Sequence, residues 1–295
     1  MIGQWSGTYG LTFSSSFNVT GGEPFMRRDI FEVLEEIAKH GFEINLLTNG
    51  ILVNRDYARM LSDLGVKGVQ VSVEGPEAVH DSIRGKGSFS SAVKGLQHLL
   101  DAGLVITLNT TLSAINADSF LKMIELCSSL GAQKLGFSRL VPSGKGKDMV
   151  ASMLDMTEVK ELYQSVFSAQ TKSVVLVTGD PVASQMSEQV NGDEGSIPCG
   201  GCAAGLSGLT ILSDGTITPC RRLPIPIGNV RKDSLREVWS TSSVLGALRD
   251  RSRYKGKCGT CKRWANCRGC RAIAYGYSQS QGKEDFLAED PQCFL

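Results

Sequence analysis

Histidine is scarce in this chain, three residues in 295. None of them suggests a metal ligand: His40 closes a helix, His98 lies beside Leu99 on another, and His80 stands in a polar loop. A dominant charge sign is also lacking, since 31 basic and 30 acidic residues leave a net charge of +1. That excludes a general field drawing in nucleic acid or an anionic membrane, so partners must be found by local sites. No apolar run approaches the ~20 residues of a membrane-spanning helix, and the N-terminal stretch lacks the charged-then-apolar order of a signal peptide. The expected compartment is the cytoplasm, with no membrane or nucleic-acid partner. Cysteine is almost missing from the body, where Cys127 alone precedes residue 199.

The cysteines are present instead in the tail. Cys199, Cys202, Cys220, Cys258, Cys261, Cys267, Cys270 and Cys293 crowd the last hundred residues. Cytosolic thiols stay reduced and disulfides are rare there, so metal ligation is the leading explanation. Hydrophobic residues make up 41% of the chain, enough to fill one large α/β domain and a small one.

From Phe17 to Arg139 short runs of branched apolar residues alternate with amphipathic stretches closed by glycine. The spacing predicts strands at Phe17 to Thr20, Glu43 to Leu47, Gly68 to Val73, Val105 to Leu112 and Lys134 to Leu140. Helices lie between them: one capped by Asp29 and stopped at Gly41, one capped by Asn54 and ending at Gly65, one from about Phe89 to Gly103, and one capped by Asn116 and ending at Gly131. A later helix, Thr157 to Ala169, and a strand, Ser173 to Val177, complete the body. Strands separated by helices imply a parallel sheet with ligands at the strands' C-terminal ends. The expected division is a barrel at 1–185, a linker at 186–198 and a small domain at 199–295, where Ser213-Asp214-Gly215 marks a β-hairpin.

Polar groups gather at the strand ends. The first strand runs into Thr20-Gly21-Gly22-Glu23-Pro24, the second ends in Thr48-Asn49-Gly50, the third in Ser72-Val73-Glu74-Gly75, and the fourth carries Asn109. Singly each is an ordinary turn or cap. Together, and with His80-Asp81-Ser82-Ile83-Arg84-Gly85, they resemble the radical S-adenosylmethionine superfamily from about Phe17 to Gly146. The resemblance implies an α/β fold, a partial (β/α)6 TIM-like barrel lacking its first βα unit. It further implies that Gly21, Gly22, Glu23, Pro24, Asn49, Ser72, Arg84 and Asn109 bind S-adenosylmethionine, with Glu23 acting through its motif on the methionyl amine and Ser72 and Arg84 holding the carboxylate. Members of the family bind a catalytic [4Fe-4S] cluster through Cys-x3-Cys-x2-Cys ahead of Gly-Gly-Glu-Pro. No such motif occurs in these residues. The expectation is therefore an N-terminally truncated or frameshifted form, without S-adenosylmethionine-cleaving activity as given.

In the tail, Cys199-x2-Cys202 and Cys258-x2-Cys261-x5-Cys267-x2-Cys270 suit either iron-sulfur clusters or a four-thiolate zinc site. With Gly215-x4-Cys220 and Asp290-Pro291-Gln292-Cys293 added, the tail resembles the SPASM extension of radical S-adenosylmethionine enzymes. That resemblance implies two auxiliary [4Fe-4S] clusters, one on Cys199, Cys202, Cys220 and Cys270 and the other on Cys258, Cys261, Cys267 and Cys293. It also implies a peptide or tetrapyrrole-like substrate and a low-potential donor such as flavodoxin or ferredoxin. Sulfatase-maturing relatives carry an aspartate where Arg221 stands, which disfavours that activity. Cys127 is left to packing. The second hypothesis is a non-catalytic iron-sulfur electron-transfer or zinc-binding protein on a relic barrel.

Overall fold

The computed structural model describes residues 16–169, 171, 173–186 and 200–295. The N-terminal stretch, most of the expected linker and Cys199 lie outside them. Six strands, Ser16–Val19 (β1), Glu43–Thr48 (β2), Gly68–Ser72 (β3), Ile106–Leu112 (β4), Lys134–Arg139 (β5) and Val175–Thr178 (β6), lie side by side in sequence order in one parallel sheet. Each coincides with an expected strand to within two residues. The order follows from the connections, because a parallel neighbour requires a crossover and each crossover here carries a helix or a helical turn.

The chain divides into two compact units. The first consists of Met1–Thr110, Asp118–Gly136 and Thr171–Val177. Its helices are Ile30–Lys39 (α1), Arg55–Asp63 (α2), Glu77–Arg84 (α3), Ser88–Asp101 (α4) and Lys122–Ser129 (α5). Gly41, Gly65, Gly103 and Gly131 follow four of them with φ between 68° and 79°, the left-handed stop that glycine supplies without a Cβ clash. Burial alternates along β2, β3 and β4, so Ile44, Leu46, Val69, Val71, Ile106 and Leu108 form an apolar face under the helices. The opposite face carries mostly polar residues beside Leu47: exposed Asn18 stands beside Asn45, and half-buried Gln70 and Ser72 stand beside Thr107 and Asn109 in strand register. Half-buried amide and hydroxyl groups of this kind are free to hydrogen-bond water or a polar ligand.

Two expectations need correction here. The His80 to Gly85 segment is not a loop but the second half of α3, which Gly85 ends at φ 102°. Asn116 does not cap α5; its Oδ1 accepts from Ser113 N at 2.8 Å and its Nδ2 donates to the Thr111 carbonyl, closing a local turn before a 3-10 segment at Ala117–Ser119. An asparagine that bonds back to the preceding backbone and one that caps a helix share the same sequence signal, and here the backward bond wins.

The second unit consists of Thr111–Ala117, Phe137–Gln170 and Thr178–Leu295. It holds helix Met156–Ser168 (α6), whose Asp155 and Glu158 form a reciprocal capping box. The expected hairpin is Thr210–Ile211 (β7) with Thr216–Thr218 (β8), and a third antiparallel strand, Gly228–Asn229 (β9), joins it. Four helices were not foreseen: Leu235–Thr241 (α7), Ser243–Arg249 (α8), Lys257–Thr260 (α9) and Arg271–Ser280 (α10). α10 is buried on nearly every side, so it shows no amphipathic stripe to betray it.

Candidate functional site

In the first unit the glycine-rich turn after β1 is fastened to the end of β2 by one carboxylate. Glu23 Oε1 accepts from Thr48 Oγ1 at 2.7 Å and Phe25 N at 3.3 Å, while Oε2 accepts from Asn49 N at 2.8 Å. Glu23 thus turns its carboxylate onto the chain's own donors, tying the exposed Gly21-Gly22 turn to the end of β2, rather than presenting it to a ligand amine. Asn49 uses its own side chain to accept from Ile51 N at 2.8 Å, shaping the Thr48-Asn49-Gly50 turn. Ser72 and Asn109 are register partners on the polar face. Pro24 is buried at the start of a 3-10 turn, a packing role.

Arg84 is brought to the same strand ends, but its guanidinium donates through Nε at 2.9 Å and Nη2 at 2.5 Å to Glu74 Oε1. The carboxylate expected to face it is therefore supplied from within the chain. Beneath this pair His80 is 1% exposed and accepts the Glu74 N–H at Nδ1 over 3.1 Å, which only an imidazole unprotonated at that atom can do. Burial, then the positive charge of Arg84, lower its pKa from 6.5 to about 4. A folded-state pKa below the unfolded value makes the unfolded chain the better proton binder between those values. Stability from this site is complete above pH 6.5 and is lost as pH falls towards 4. His80→Gln, which cannot titrate, is expected to lose on the order of 2 kcal/mol less than the parent chain between pH 7 and 4.5. Parallel denaturant midpoints for the two proteins over that range would contradict it.

Cys127 is fully buried in this unit and its thiol points at the carbonyls of Ala132 and Lys134, 3.5 and 3.4 Å away. Burial pushes it up to about 11. It is a packing thiol, without metal chemistry.

The second unit holds the tail cysteines. Cys258, Cys261, Cys267 and Cys293 line a single cavity of about 280 Å³. Cys258 comes from α9, Cys261 from the residue that ends it, Cys267 from the loop before α10 and Cys293 from the C-terminal segment. Of the other set, Cys202 and Cys270 lie within electrostatic reach of each other, and Cys202 and Cys220 pack against the same apolar cluster as Cys270; Cys199 is outside the described residues. The two sets meet in the Cys267-Arg268-Gly269-Cys270 turn. Cys202 N donates to the Cys267 carbonyl at 3.1 Å, and Arg268 Nη2 donates to the Cys202 carbonyl at 2.8 Å.

These residues fit clusters better than a single ion. A zinc site needs four donors within about 2.3 Å of one point. The four thiols instead surround a volume, as a polynuclear cluster bound by one sulfur per iron requires. Burial pushes Cys267 up to about 11 and Cys270 up to about 12, so these sulfurs are thiols until a metal replaces the proton.

Beside the cavity a buried ion cluster ties the unit together. Arg139, at the end of β5, donates from Nε to Asp180 Oδ2 at 2.7 Å and from Nη2 to Asp290 Oδ2 at 2.9 Å, and Nη1 reaches Gln292 Oε1 at 3.0 Å. Tyr163 OH donates to Asp180 as well, at 2.8 Å. Asp290 also accepts the Cys270 N–H at 2.7 Å, and its carbonyl accepts the Cys293 N–H at 3.1 Å, so one residue holds a ligand-bearing segment of each set. Sequence reasoning missed Arg139 and Asp180. The available signal was an arginine closing a strand whose middle, Leu135 to Phe137, is apolar and buried.

Comparison with known proteins agrees with both halves of this geometry. A model of the Radical SAM superfamily matches residues 12–127, and a model of the SPASM iron-sulfur cluster-binding domain matches residues 202–271. The chain is 32% identical over 289 residues to an AdoMet-dependent heme synthase of Nitratidesulfovibrio vulgaris, covering 93% of this chain and 77% of that protein. It is 32% identical over 270 residues to mycofactocin maturase MftC of Mycobacterium tuberculosis, covering 88% and 66%. Among solved structures, Streptococcus suis SuiB bound to S-adenosylmethionine has a TM-score of 0.76 at 17% identity, covering 95% of this chain and 66% of that one, a likeness of fold. The chain belongs to the radical SAM superfamily and carries a SPASM iron-sulfur cluster-binding domain. It is an enzyme by family, and its cofactors are iron-sulfur clusters and S-adenosylmethionine. No helix among the described residues is long and apolar enough to cross a membrane.

Proposed function

We propose that this protein modifies a haem-type tetrapyrrole, using S-adenosylmethionine bound at the strand ends of the first unit and two auxiliary [4Fe-4S] clusters in the second. One cluster is held by Cys199, Cys202, Cys220 and Cys270, the other by Cys258, Cys261, Cys267 and Cys293. The cavity lined by the last four is the observation that carries the reading. The heme synthase relative supports the substrate class, and the mycofactocin maturase relative supports a peptide as the second reading. Bound S-adenosylmethionine supplies a hydrogen-abstracting radical, chemistry that belongs to the cofactor. The chain's part is to orient it: Glu23 fixes the Gly21-Gly22 backbone, Asn49, Ser72 and Asn109 offer hydrogen bonds from the rim, and Arg84 offers charge already partnered by Glu74. A low-potential donor of the flavodoxin or ferredoxin kind, in the cytoplasm, supplies electrons.

Neither four-cysteine set leaves an iron free for the methionyl group, and these residues contain no Cys-x3-Cys-x2-Cys. The 295-residue polypeptide, reconstituted anaerobically with dithionite, is therefore expected to form no 5′-deoxyadenosine. A chimera carrying a relative's first barrel strand, cluster loop and helix is expected to form it, and faster with a haem-type precursor than with a peptide. Catalytic 5′-deoxyadenosine from the unmodified chain, measured by chromatography, would refute the ligand assignment. A chimera stimulated by peptide alone would favour the second reading.

A further inference from the structure

Every sulfur of the Cys258 set receives an N–H. The amide of Arg263 lies 3.3 Å from Cys261 Sγ and that of Gly269 lies 3.4 Å from Cys267 Sγ, as turns around a thiolate commonly provide. The other two donors come from side chains that bind no metal. Gln185 Nε2 lies 3.4 Å from Cys293 Sγ and 3.7 Å from Cys267 Sγ. Its Oε1 accepts from Phe294 N at 3.3 Å, which fixes the carboxamide with its NH2 towards the sulfurs. Arg271 Nη2 lies 3.5 Å from Cys258 Sγ, while Nη1 donates to the Ala288 carbonyl at 2.7 Å.

Arg271 is 1% exposed, and among the described residues no carboxylate forms an ion pair with it. Its Nε is buried without a partner, and its guanidinium stands 4.9 Å over the Tyr254 ring. A buried cation needs an opposite charge close by. The Cys258 set supplies it, since a cubane bound by four thiolates carries a net negative charge; Asp290, also within electrostatic reach, is paired with Arg139. Gly269 makes the approach possible: a Cβ there would lie 2.5 Å from Arg271 Nη2 and 3.3 Å from Cys258 Sγ. The described members of the other set differ in hydrogen bonding, although Arg221 lies within electrostatic reach of Cys220 and Arg222 within reach of Cys270. Among the described residues no hydrogen bond reaches the sulfurs of Cys202, Cys220 or Cys270, which pack against Leu223, Leu245 and Leu248.

We propose that Gln185 and Arg271, neither of them a ligand, raise the reduction potential of the cluster held by Cys258, Cys261, Cys267 and Cys293. The inference rests on the ligand assignment above. Reduction adds a negative charge to the cluster, and hydrogen bonds to sulfur and a buried cation stabilise the reduced state more than the oxidised one. Gln185 and Arg271 are positioning residues for charge, and they make this cluster a better electron acceptor than its thiolates alone would.

The test is a redox titration of the full chain, anaerobically reconstituted, followed by electron paramagnetic resonance. Cys258→Ala and Cys220→Ala identify which signal belongs to which cluster. Arg271→Met is expected to lower the midpoint of the Cys258-dependent signal by at least about tenfold in the reduction equilibrium, or 59 mV for a one-electron couple. Arg271→Lys should recover part of that shift, and Gln185→Leu should produce a smaller shift in the same direction. The Cys220-dependent signal should shift less than the Cys258-dependent one in all three, because Arg271 lies within electrostatic reach of Cys202 but donates only to Cys258 Sγ. If Arg271→Met loses iron, Gln185→Leu decides alone. An unmoved midpoint in variants with the parent's iron content overturns the inference and leaves the ligand assignment standing. If Cys258→Ala retains both signals, the ligand assignment fails and the inference fails with it.

Discussion

Replacing Cys258 with alanine is expected to remove about half of the iron that the reconstituted protein binds, and replacing Cys127 is expected to remove none. Two four-iron clusters give about eight iron atoms per chain, each iron needing one protein sulfur. Cys258 lines the cavity shared with Cys261, Cys267 and Cys293, so its loss leaves that cluster with three thiolates. Cys202, Cys220 and Cys270 of the other set pack in a separate apolar cluster, so that set is expected to keep its ligands. Cys127 donates to two carbonyls in the first unit and is distant in sequence from every other thiol. Iron and acid-labile sulfide assays on protein handled without oxygen check this. Equal losses in the two variants would remove the distinction between packing thiol and ligand, and stoichiometric zinc in place of iron would remove the clusters themselves.

The second large effect concerns Arg139. Arg139→Met is expected to cost about 3–5 kcal/mol of stability, the range for breaking a buried pair on one side. Burial alone would raise the carboxyls of Asp180 and Asp290, but the Arg139 guanidinium and its hydrogen bonds outweigh this and hold both below the ordinary 3.8. Without the cation the two carboxylates face each other in a dry site, and Tyr163 OH remains to satisfy only one of them. Protonation then becomes the cheaper state, so the variant should lose less stability on acidification than the parent chain. Denaturant titrations at pH 7 and pH 4.5 measure both effects. A cost under about 1 kcal/mol at pH 7 would mean that water reaches the site and screens it.

Much of the body was legible because its physics is local. Branched apolar runs, capping residues such as Asn54 and terminal glycines specify a strand or a helix within a few neighbours. The cysteine spacing of the tail was legible for the same reason, since a Cys-x2-Cys turn is a local device. What escaped was decided at long range. Arg139 and Asp290 are 151 residues apart, and Gln185 and Cys293 are 108 apart, so no sequence window contains both partners. Asn116 misled because its side chain can close a turn or cap a helix with the same atom. The glutamate at position 74 was read as part of a strand-end motif, while its partnership with Arg84 depends on where α3 brings that arginine. α10 was invisible because its first six residues are all buried, which leaves too short an exposed stretch to display a pattern.

The ion cluster around Arg139 also bears on how far the tail can be treated as a cassette. Residues 199–295 hold every proposed cluster ligand and resemble a portable module in sequence. Yet the counter-charge of Asp290 is an arginine on a strand of the sheet, and a wall of the sulfur cavity is Gln185, both N-terminal to that stretch. Grafting the cysteine-rich segment onto another barrel would carry the sulfurs across and leave behind the cation that neutralises the carboxylate holding Cys270 and Cys293. A graft of such a tail is therefore expected to need a recipient whose strand equivalent to β5 ends in a suitably placed positive charge.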